Sequence, residues 1–236
     1  MEKYSKNNDI SYALGTTLTI EMLKRKKSVA KRVYINPKQK RDETFDKLVS
    51  LAKEAKIPVI LNNEKIFTAL SGKDNVMAIG EFSKFESKLD ENKNHLVLVN
   101  PSNMGNLGTI FRSGAAFEIG GLAIIKPAAD CFDPKCVRSS MGAIFSLPFR
   151  YYSSFEEYEK EFPNHHLYPF MLQAKKELRE AEKKEPYSLV YGNEATGLPA
   201  EFLKKGDPLI IAQSSEIDSL NLDNAVSIGL YYFKNN

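Results

Sequence analysis

An α/β fold in two parts is predicted by three features of this sequence. Helix-like and strand-like stretches alternate along most of its 236 residues. A polar, charged and aperiodic break, S-K-F-E-S-K-L-D-E-N-K-N, interrupts them at Ser83 to Asn94. After the break, short apolar runs recur with helical stretches between most of them, as in a parallel sheet covered on both faces. The expected division is a small α/β domain over 1–82, a linker over 83–94 and a larger α/β domain over 95–236.

In the first part, Thr16 to Arg25 places Leu18, Met22 and Leu23 on one helical face. Arg32 to Ile35 reads as a strand, and Asn36-Pro37 turns the chain. Thr44 to Ala55 repeats Phe45, Leu48, Val49, Leu51, Ala52 and Ala55 at helical spacing. A strand at Pro58–Leu61, a short helix at Asn63–Leu70 and a strand at Val76–Ile79 complete it. In the second part, strands are expected at Leu96–Val99, Leu122–Ile125, Phe149–Tyr152, Leu167–Leu172, Leu189–Tyr191 and Leu209–Ile211. Helices are expected after Asp133-Pro134, at Ser154–Glu161 and at Leu220–Tyr232. The last would carry Ala225, Ile228, Gly229 and Tyr232 on one face.

Composition narrows the class. An apolar fraction of 42% with 27% charged residues is that of an ordinary soluble globular protein. No apolar run approaches the ~20 residues that span a bilayer. The stretch M-E-K-Y-S-K-N-N-D lacks the apolar core of a signal peptide, so the cytoplasm is the expected location and no membrane partner is expected. Cys131 and Cys136 are too few for a disulfide framework and badly spaced for a zinc site, and no metal is expected. The net charge of +3 conceals an asymmetry: residues 1–56 carry about +7 and the remainder about −4. Lys24, Arg25, Lys26, Lys27, Lys31 and Arg32 concentrate that surplus, which suits phosphate contacts with a polyanion or simply a solvated basic surface.

Three polar turns follow apolar strands in the second part, where open α/β sheets place ligands. The first is N-P-S-N-M-G-N-L-G-T-I-F-R, Asn100 to Arg112, read as a strand end, a turn and a helix start with free backbone N–H groups. The second is Y-G-N-E-A-T-G-L-P, Tyr191 to Pro199, and the third is Q-S-S-E-I-D-S-L-N-L-D-N-A, Gln213 to Ala225. Taken singly, each has an ordinary explanation. Gly105 and Gly108 permit a tight turn, Glu194 is a solvated loop acid, and Ser219 or Asn221 is a helix cap. Taken together, they supply complementary chemistry at one sheet edge. No G-x-x-x-x-G-K-[ST] phosphate loop and no G-x-G-x-x-G occurs, which removes the common nucleotide-binding alternatives.

These turns, in this order, resemble the motifs of the SpoU family of RNA ribose methyltransferases, within the SPOUT superfamily. The matching stretches are N-P-S-N-M-G-N-L-G-T-I-F-R-S-G-A-A-F at 100–117, Y-G-N-E-A-T-G-L at 191–198 and S-L-N-L-D-N-A-V-S-I-G-L-Y at 219–231. The first domain, from Y-A-L-G-T-T-L-T-I-E-M-L onward, is more diffusely similar to the family's L30-like substrate-binding domain.

The resemblance implies a homodimer whose C-terminal segment threads a loop to form a deep trefoil knot. It implies S-adenosyl-L-methionine as cofactor and a ribose 2′-hydroxyl of ribosomal or transfer RNA as methyl acceptor. By motif position, Arg112, Asn106, Glu194, Ser219 and Asn221 carry over as the catalytic polar set. Tyr191, Gly192, Asn193, Gly197, Ile211, Gln213, Leu220 and Ala225 carry over as the cofactor-binding set. Arg112 is expected to clamp developing alkoxide, with Asn106 orienting it or the ribose and Glu194 holding the arginine or the nucleotide. Two departures stand out: I-I-A-Q-S-S-E replaces an I-P-M-x-G-like segment, and Asp223 replaces a common small residue. A non-catalytic RNA binder of the same fold and a base-directed methyltransferase remain as alternatives.

Overall fold

The computed structural model describes residues 4–61, 63–71, 75–214 and 216–236; Met1–Lys3 and Ser215 of the third polar turn lie outside them. By contact density the chain divides into two units, one of 1–85 with 130–146 and one of 86–129 with 147–236.

The first unit starts with a strand that helical and apolar-run patterns had not indicated, β1 (Ile10–Leu14). Its alternating burial and antiparallel pairing with the strand Ala78–Ser83 explain why no continuous apolar run marks it. Then come α1 (Thr16–Arg25), β2 (Ala30–Ile35), α2 (Glu43–Glu54), β3 (Val59–Leu61), α3 (Glu64–Ser71) and β4 (Ala78–Ser83). The sheet order is β1-β4-β2-β3, with β4 antiparallel to both neighbours and β2 parallel to β3. Helix α1 buries Leu18, Met22 and Leu23, as its spacing predicts. Asp42 caps α2, its side chain accepting from the Phe45 amide at 3.0 Å. Tyr34, Ile66, Phe67, Val76 and Ile79 form the local core.

The second unit opens with β5 (His95–Val99), α4 (Met104–Ala116) and β6 (Gly121–Ile125). The chain then makes an excursion. Residues 130–146, including α5 (Pro134–Ser139), pack with the first unit, so that unit is not contiguous in sequence. Aromatic packing explains this: Phe132 and Phe145 join Phe82 and Phe85 with ring centroids between 5.1 and 6.4 Å apart. Ser11 also donates to the Phe132 carbonyl, and Lys84 pairs with Asp130 at 3.8 Å.

The remaining elements are β7 (Phe149–Tyr152), α6 (Phe155–Glu161), β8 (His166–Pro169), β9 (Lys176–Glu177), β10 (Tyr187–Tyr191), β11 (Leu209–Ile210) and α7 (Leu222–Asn235). The main sheet has the order β7-β6-β5-β10-β8 and is parallel throughout. Its central strands β5, β6 and β10 are buried along their whole length, which accounts for their largely apolar character, with His95 and Ser188 as buried polar exceptions. The strand at Leu209 does not join this sheet. It pairs for two residues with β9, being confined between Pro208 and the polar Gln213 turn.

Helix α7 buries a face different from the one its spacing indicated. Leu222, Val226, Gly229, Leu230 and Phe233 are inside, while Ile228 is 40% exposed and Tyr231 61%. Two partners set that face: Phe233 packs on Tyr168 and Tyr187 beneath it, and Ser227 meets Ser113 of α4 at 2.8 Å. The strand order reverses between β5 and β10, and both send turns from their carboxyl ends at that point. This is where a parallel sheet opens a crevice for ligands.

Candidate functional site

The turn after β5 and the turn after β10 are bolted together. Asn193 donates its side-chain amide to the Asn100 carbonyl at 2.8 Å. Its Oδ1 accepts from the amides of Ala195 at 2.9 Å and Thr196 at 3.3 Å, which shapes the second turn. Asn100 sits at φ 54, a left-handed conformation that asparagine tolerates better than most residues. Gly192 is required by crowding, since a Cβ there would lie 2.1 Å from the Gly197 carbonyl carbon. Gly197 is required by conformation, at φ 67.

Glu194 completes the bolt. Its carboxylate accepts from the Ser102 amide at 2.9 Å, the Ser102 hydroxyl at 2.8 Å and the Asn103 amide at 3.1 Å. Burial opposes its ionisation, but these donors outweigh it and hold the carboxyl below its ordinary value. A carboxylate at the start of α4 is also favoured by the helix dipole. Asn103, at the cap of α4, accepts from the amides of Gly105 at 2.8 Å and Asn106 at 3.1 Å. The amides of Ser102, Asn103, Gly105 and Asn106 at this helix start are therefore occupied by the protein's own side chains. The expectation of free N–H groups awaiting a ligand is corrected, as is that of Glu194 holding Arg112.

Asn106 joins the third turn to the other two. Its amide donates to Glu194 at 3.4 Å and to the Asn221 side-chain oxygen at 3.2 Å. Asn221 occupies the cap position of α7 but makes no side-chain capping bond; its side chain is spent on Asn106. Asn106, Glu194 and Asn221 thus form one hydrogen-bonded set that links the three turns. Ser219 is exposed on the third turn, and Arg112 is exposed on α4 and forms no ion pair among the described residues.

Beside this set lies a cavity. Tyr191, Gly192, Asn193, Gly197, Ile211, Gln213, Leu220 and Ala225 all line it, with Glu194 and Ser219 at its polar side. Arg112, Asn106 and Asn221 are not among its lining residues. Its wall also uses Phe170, Leu172, Leu198 and Leu209, which motif reading had not singled out. Phe170 stacks on Tyr191 with ring centroids 4.3 Å apart and planes 12° apart. Its place at the carboxyl end of an expected strand was the signal that could have found it. Tyr191 is wholly enclosed, and burial raises its hydroxyl well above the ordinary value. Its hydroxyl donates to the Ala225 carbonyl at 3.4 Å, tying the stack to α7. The apolar wall and adjoining polar turns suit a flat heterocycle carrying a polar tail.

In the first unit the six basic residues divide. Arg25 pairs with Glu21 at 2.5 Å and Arg32 with Glu81 at 2.8 Å, the latter carboxylate also accepting from Tyr34 at 2.9 Å. Lys26 lies over the Phe85 ring at 5.0 Å. Lys24, Lys27 and Lys31 are exposed.

Comparison with known proteins agrees with this geometry. The profile described as RNA 2′-O ribose methyltransferase substrate binding matches residues 12–84. An uncharacterised tRNA/rRNA methyltransferase of Synechocystis sp. is 32% identical over 139 residues, 58% of this chain and 51% of that relative. The match therefore spans about half of that relative's length. The 23S rRNA (guanosine(2553)-2′-O)-methyltransferase RlmP of Bacillus subtilis is 27% identical over 185 residues, 77% of this chain and 74% of RlmP. The crystal structure of an AdoMet-bound rRNA methyltransferase from Sinorhizobium meliloti superposes with a TM-score of 0.82 at 25% identity, covering 96% of this chain and 87% of that one. The profile described as SpoU rRNA Methylase family matches residues 93–231, more than half of the chain, and the protein belongs to that family.

Proposed function

We infer that the protein transfers the methyl group of S-adenosyl-L-methionine to a ribose 2′-hydroxyl of ribosomal or transfer RNA. The observation that carries this reading is the junction of an apolar cavity with the Asn106–Glu194–Asn221 set at one sheet edge. The residues fit the cofactor: Phe170, Leu198, Ile211 and Leu220 offer an apolar slot for adenine, and the turns at 191–198 and 211–221 offer backbone groups. When bound, the sulfonium supplies an already activated methyl group. What the protein must add is alignment of the hydroxyl and relief of its proton.

Arg112 is the group for the second task. A guanidinium does not accept a proton at neutral pH, so it acts as an electrostatic clamp on the oxygen as charge develops, while the hydroxyl proton passes to a substrate phosphate or water. Asn106 and Asn221 fix the third turn against the first, and Glu194 is a positioning residue for both. Ser219 is exposed and lines the cavity, which supports a role in binding at the cofactor–substrate junction.

The names of relatives support RNA ribose as the acceptor; RlmP is a guanosine 2′-O-methyltransferase of 23S rRNA. The exposed Lys24, Lys27 and Lys31 support RNA capture by the first unit through backbone charge. A homodimer through the catalytic domain is supported by exposed Ile228 and Tyr231 on α7, with Phe117 edge-on to Tyr231 at 6.1 Å. A trefoil knot is supported by the convergence of the last two turns on one cavity around β10 and β11. No helix among the described residues is long and apolar enough to cross a membrane. Action on cellular RNA supports a cytoplasmic location.

Titration calorimetry with S-adenosyl-L-methionine, followed by mass spectrometry of digested product RNA, tests the reading. Cofactor binding and methyl on ribose support it. Absence of cofactor binding favours a non-catalytic RNA binder, and methyl on a base favours the base-directed alternative.

A further inference from the structure

We propose that residues 134–142 form an RNA-contacting element, in which Lys135 and Arg138 take backbone phosphates and Met141 packs on the face of an unpaired base. The sequence of α5 sets its two faces. Cys136 and Val137 are fully buried, while Lys135 and Arg138 are exposed. Three positions apart, those two cations share one side of the helix. The inference rests on the reading of the protein as an RNA methyltransferase and names the kind of RNA it takes.

The turn that ends α5 is strained where it meets solvent. Met141 has φ 50 and Gly142 φ 92, two left-handed residues in succession. The Met141 amide donates to the Arg138 carbonyl at 3.2 Å and the Ala143 amide to the Ser140 carbonyl at 2.9 Å, so backbone bonds fix this shape. Glycine adopts it freely, whereas a long side chain is crowded against its own backbone there. Burial returns little of that cost, because Met141 is 51% exposed. An outlier of this kind points to binding rather than to stability.

The surroundings choose the partner. The turn lies against α1, since a Cβ on Gly142 would come within 2.7 Å of the Glu21 Cβ. Lys24, one turn along α1 from Glu21, is exposed and adds its charge to that of Lys135 and Arg138. The neighbouring acids are engaged by the protein itself. Glu21 pairs with Arg25 at 2.5 Å, and Asp133 accepts from the Lys135 amide at 2.8 Å. Asp130 accepts from the Tyr4 hydroxyl and, at 2.9 Å, from the Phe132 amide, and pairs with Lys84 at 3.8 Å. The charge presented to solvent is therefore positive and complementary to a phosphate backbone. A continuous RNA duplex would meet the three cations but keep its bases in the stack. A polarisable methionine set among those cations finds a flat apolar partner only where a nucleotide is unpaired.

The test uses the full-length protein and total RNA from cells lacking the gene. Arg138→Gln should weaken RNA binding roughly tenfold and lower its salt slope by about one. Met141→Gly should weaken RNA binding roughly fivefold with the salt slope unchanged. Its melting temperature should hold or rise, because glycine relieves the left-handed strain; a merely structural role for Met141 predicts a fall. Calorimetric affinity for S-adenosyl-L-methionine should be unchanged in both variants. A benzophenone photo-cross-linker in place of Met141 should attach to an unpaired nucleotide, located by reverse-transcription stops. Wild-type RNA affinity in both variants, or a melting temperature that falls together with affinity in Met141→Gly, would overturn the proposal. So would cross-links confined to duplex, or none from this position while the same group in place of Lys24 cross-links RNA. A wild-type protein that methylates no RNA, with no cross-link from either position, overturns the function reading and this proposal with it.

Discussion

Replacing Glu194 by alanine removes the acceptor on which the first two turns converge. Four contacts go at once: the Ser102 amide and hydroxyl at 2.9 and 2.8 Å, the Asn103 amide at 3.1 Å and the Asn106 amide group at 3.4 Å. Hydrogen bonds to a charged acceptor contribute about 1.5–3 kcal/mol each, but the site is part-exposed and water replaces much of that. A net loss of about 2 kcal/mol is expected, which lowers the melting temperature of a unit this size by roughly 4–8 °C. Glu194→Gln keeps one acceptor oxygen without the charge and should fall between wild type and alanine.

The pH dependence follows from the depressed carboxyl. The unfolded chain takes up the Glu194 proton first, so the stabilisation is complete above the ordinary value of 4.5 and is lost as pH falls below it. Scanning calorimetry of the wild type and both variants at neutral and acid pH, with cofactor affinity measured in parallel, provides the assay. An alanine variant with unchanged melting temperature and unchanged cofactor affinity would refute the idea that Glu194 bolts the turns together.

Other outcomes follow from single contacts. Arg112→Ala should abolish methyl transfer while calorimetry still detects S-adenosyl-L-methionine, because Arg112 does not line the cavity. Gly229→Ala should weaken cofactor binding about tenfold or more and destabilise by about 1–3 kcal/mol, since its Cβ would lie 2.0 Å from the Tyr191 hydroxyl and displace the Phe170 stack. Replacing Lys24, Lys27 and Lys31 by glutamine should weaken RNA binding and flatten its salt dependence, with cofactor affinity unaffected. Burial, helped by neighbouring His165, lowers His95 to about 4, and Tyr158 donates to its Nδ1 at 2.9 Å while its Nε2 donates to the Asp90 carbonyl at 3.0 Å. Because the unfolded chain binds that proton first, this contribution is complete above pH 6.5 and falls by roughly 3 kcal/mol as pH drops toward 4. Thermal melts of wild type and His95→Gln across that range should diverge in slope.

Elements with a strong period were legible from the residues alone. Helix α1 begins and ends where its apolar spacing predicts, and the apolar runs at 96–99, 122–125 and 189–191 lie within the fully buried strands β5, β6 and β10. Strand β1 escaped because I-S-Y-A-L is half-buried, with alternation too short to stand out. The packing of 130–146 with the first unit escaped because it depends on four phenylalanines meeting across distant stretches, which no local pattern encodes.

The site divided in the same way. The turns that line the cavity were legible because glycines and polar groups after strands mark ligand turns, whereas the individual residues came with the family resemblance. The partners of Glu194 and Asn221 were not. A carboxylate that accepts from a helix start has the same composition as one that faces solvent, and only the fold decides which amides it meets. Likewise, nothing local to Arg25 or Arg32 distinguishes a paired arginine from a free one.

The central claim is tested most directly by mapping 2′-O-methyl groups in total RNA from cells with and without the gene, then incubating the deficient RNA with purified protein and S-adenosyl-L-methionine. The account predicts loss of ribose methylation at one or a few defined nucleotides and its restoration by the wild-type protein but not by Arg112→Ala. An unchanged ribose map, or restoration by Arg112→Ala equal to that by the wild type, would contradict it.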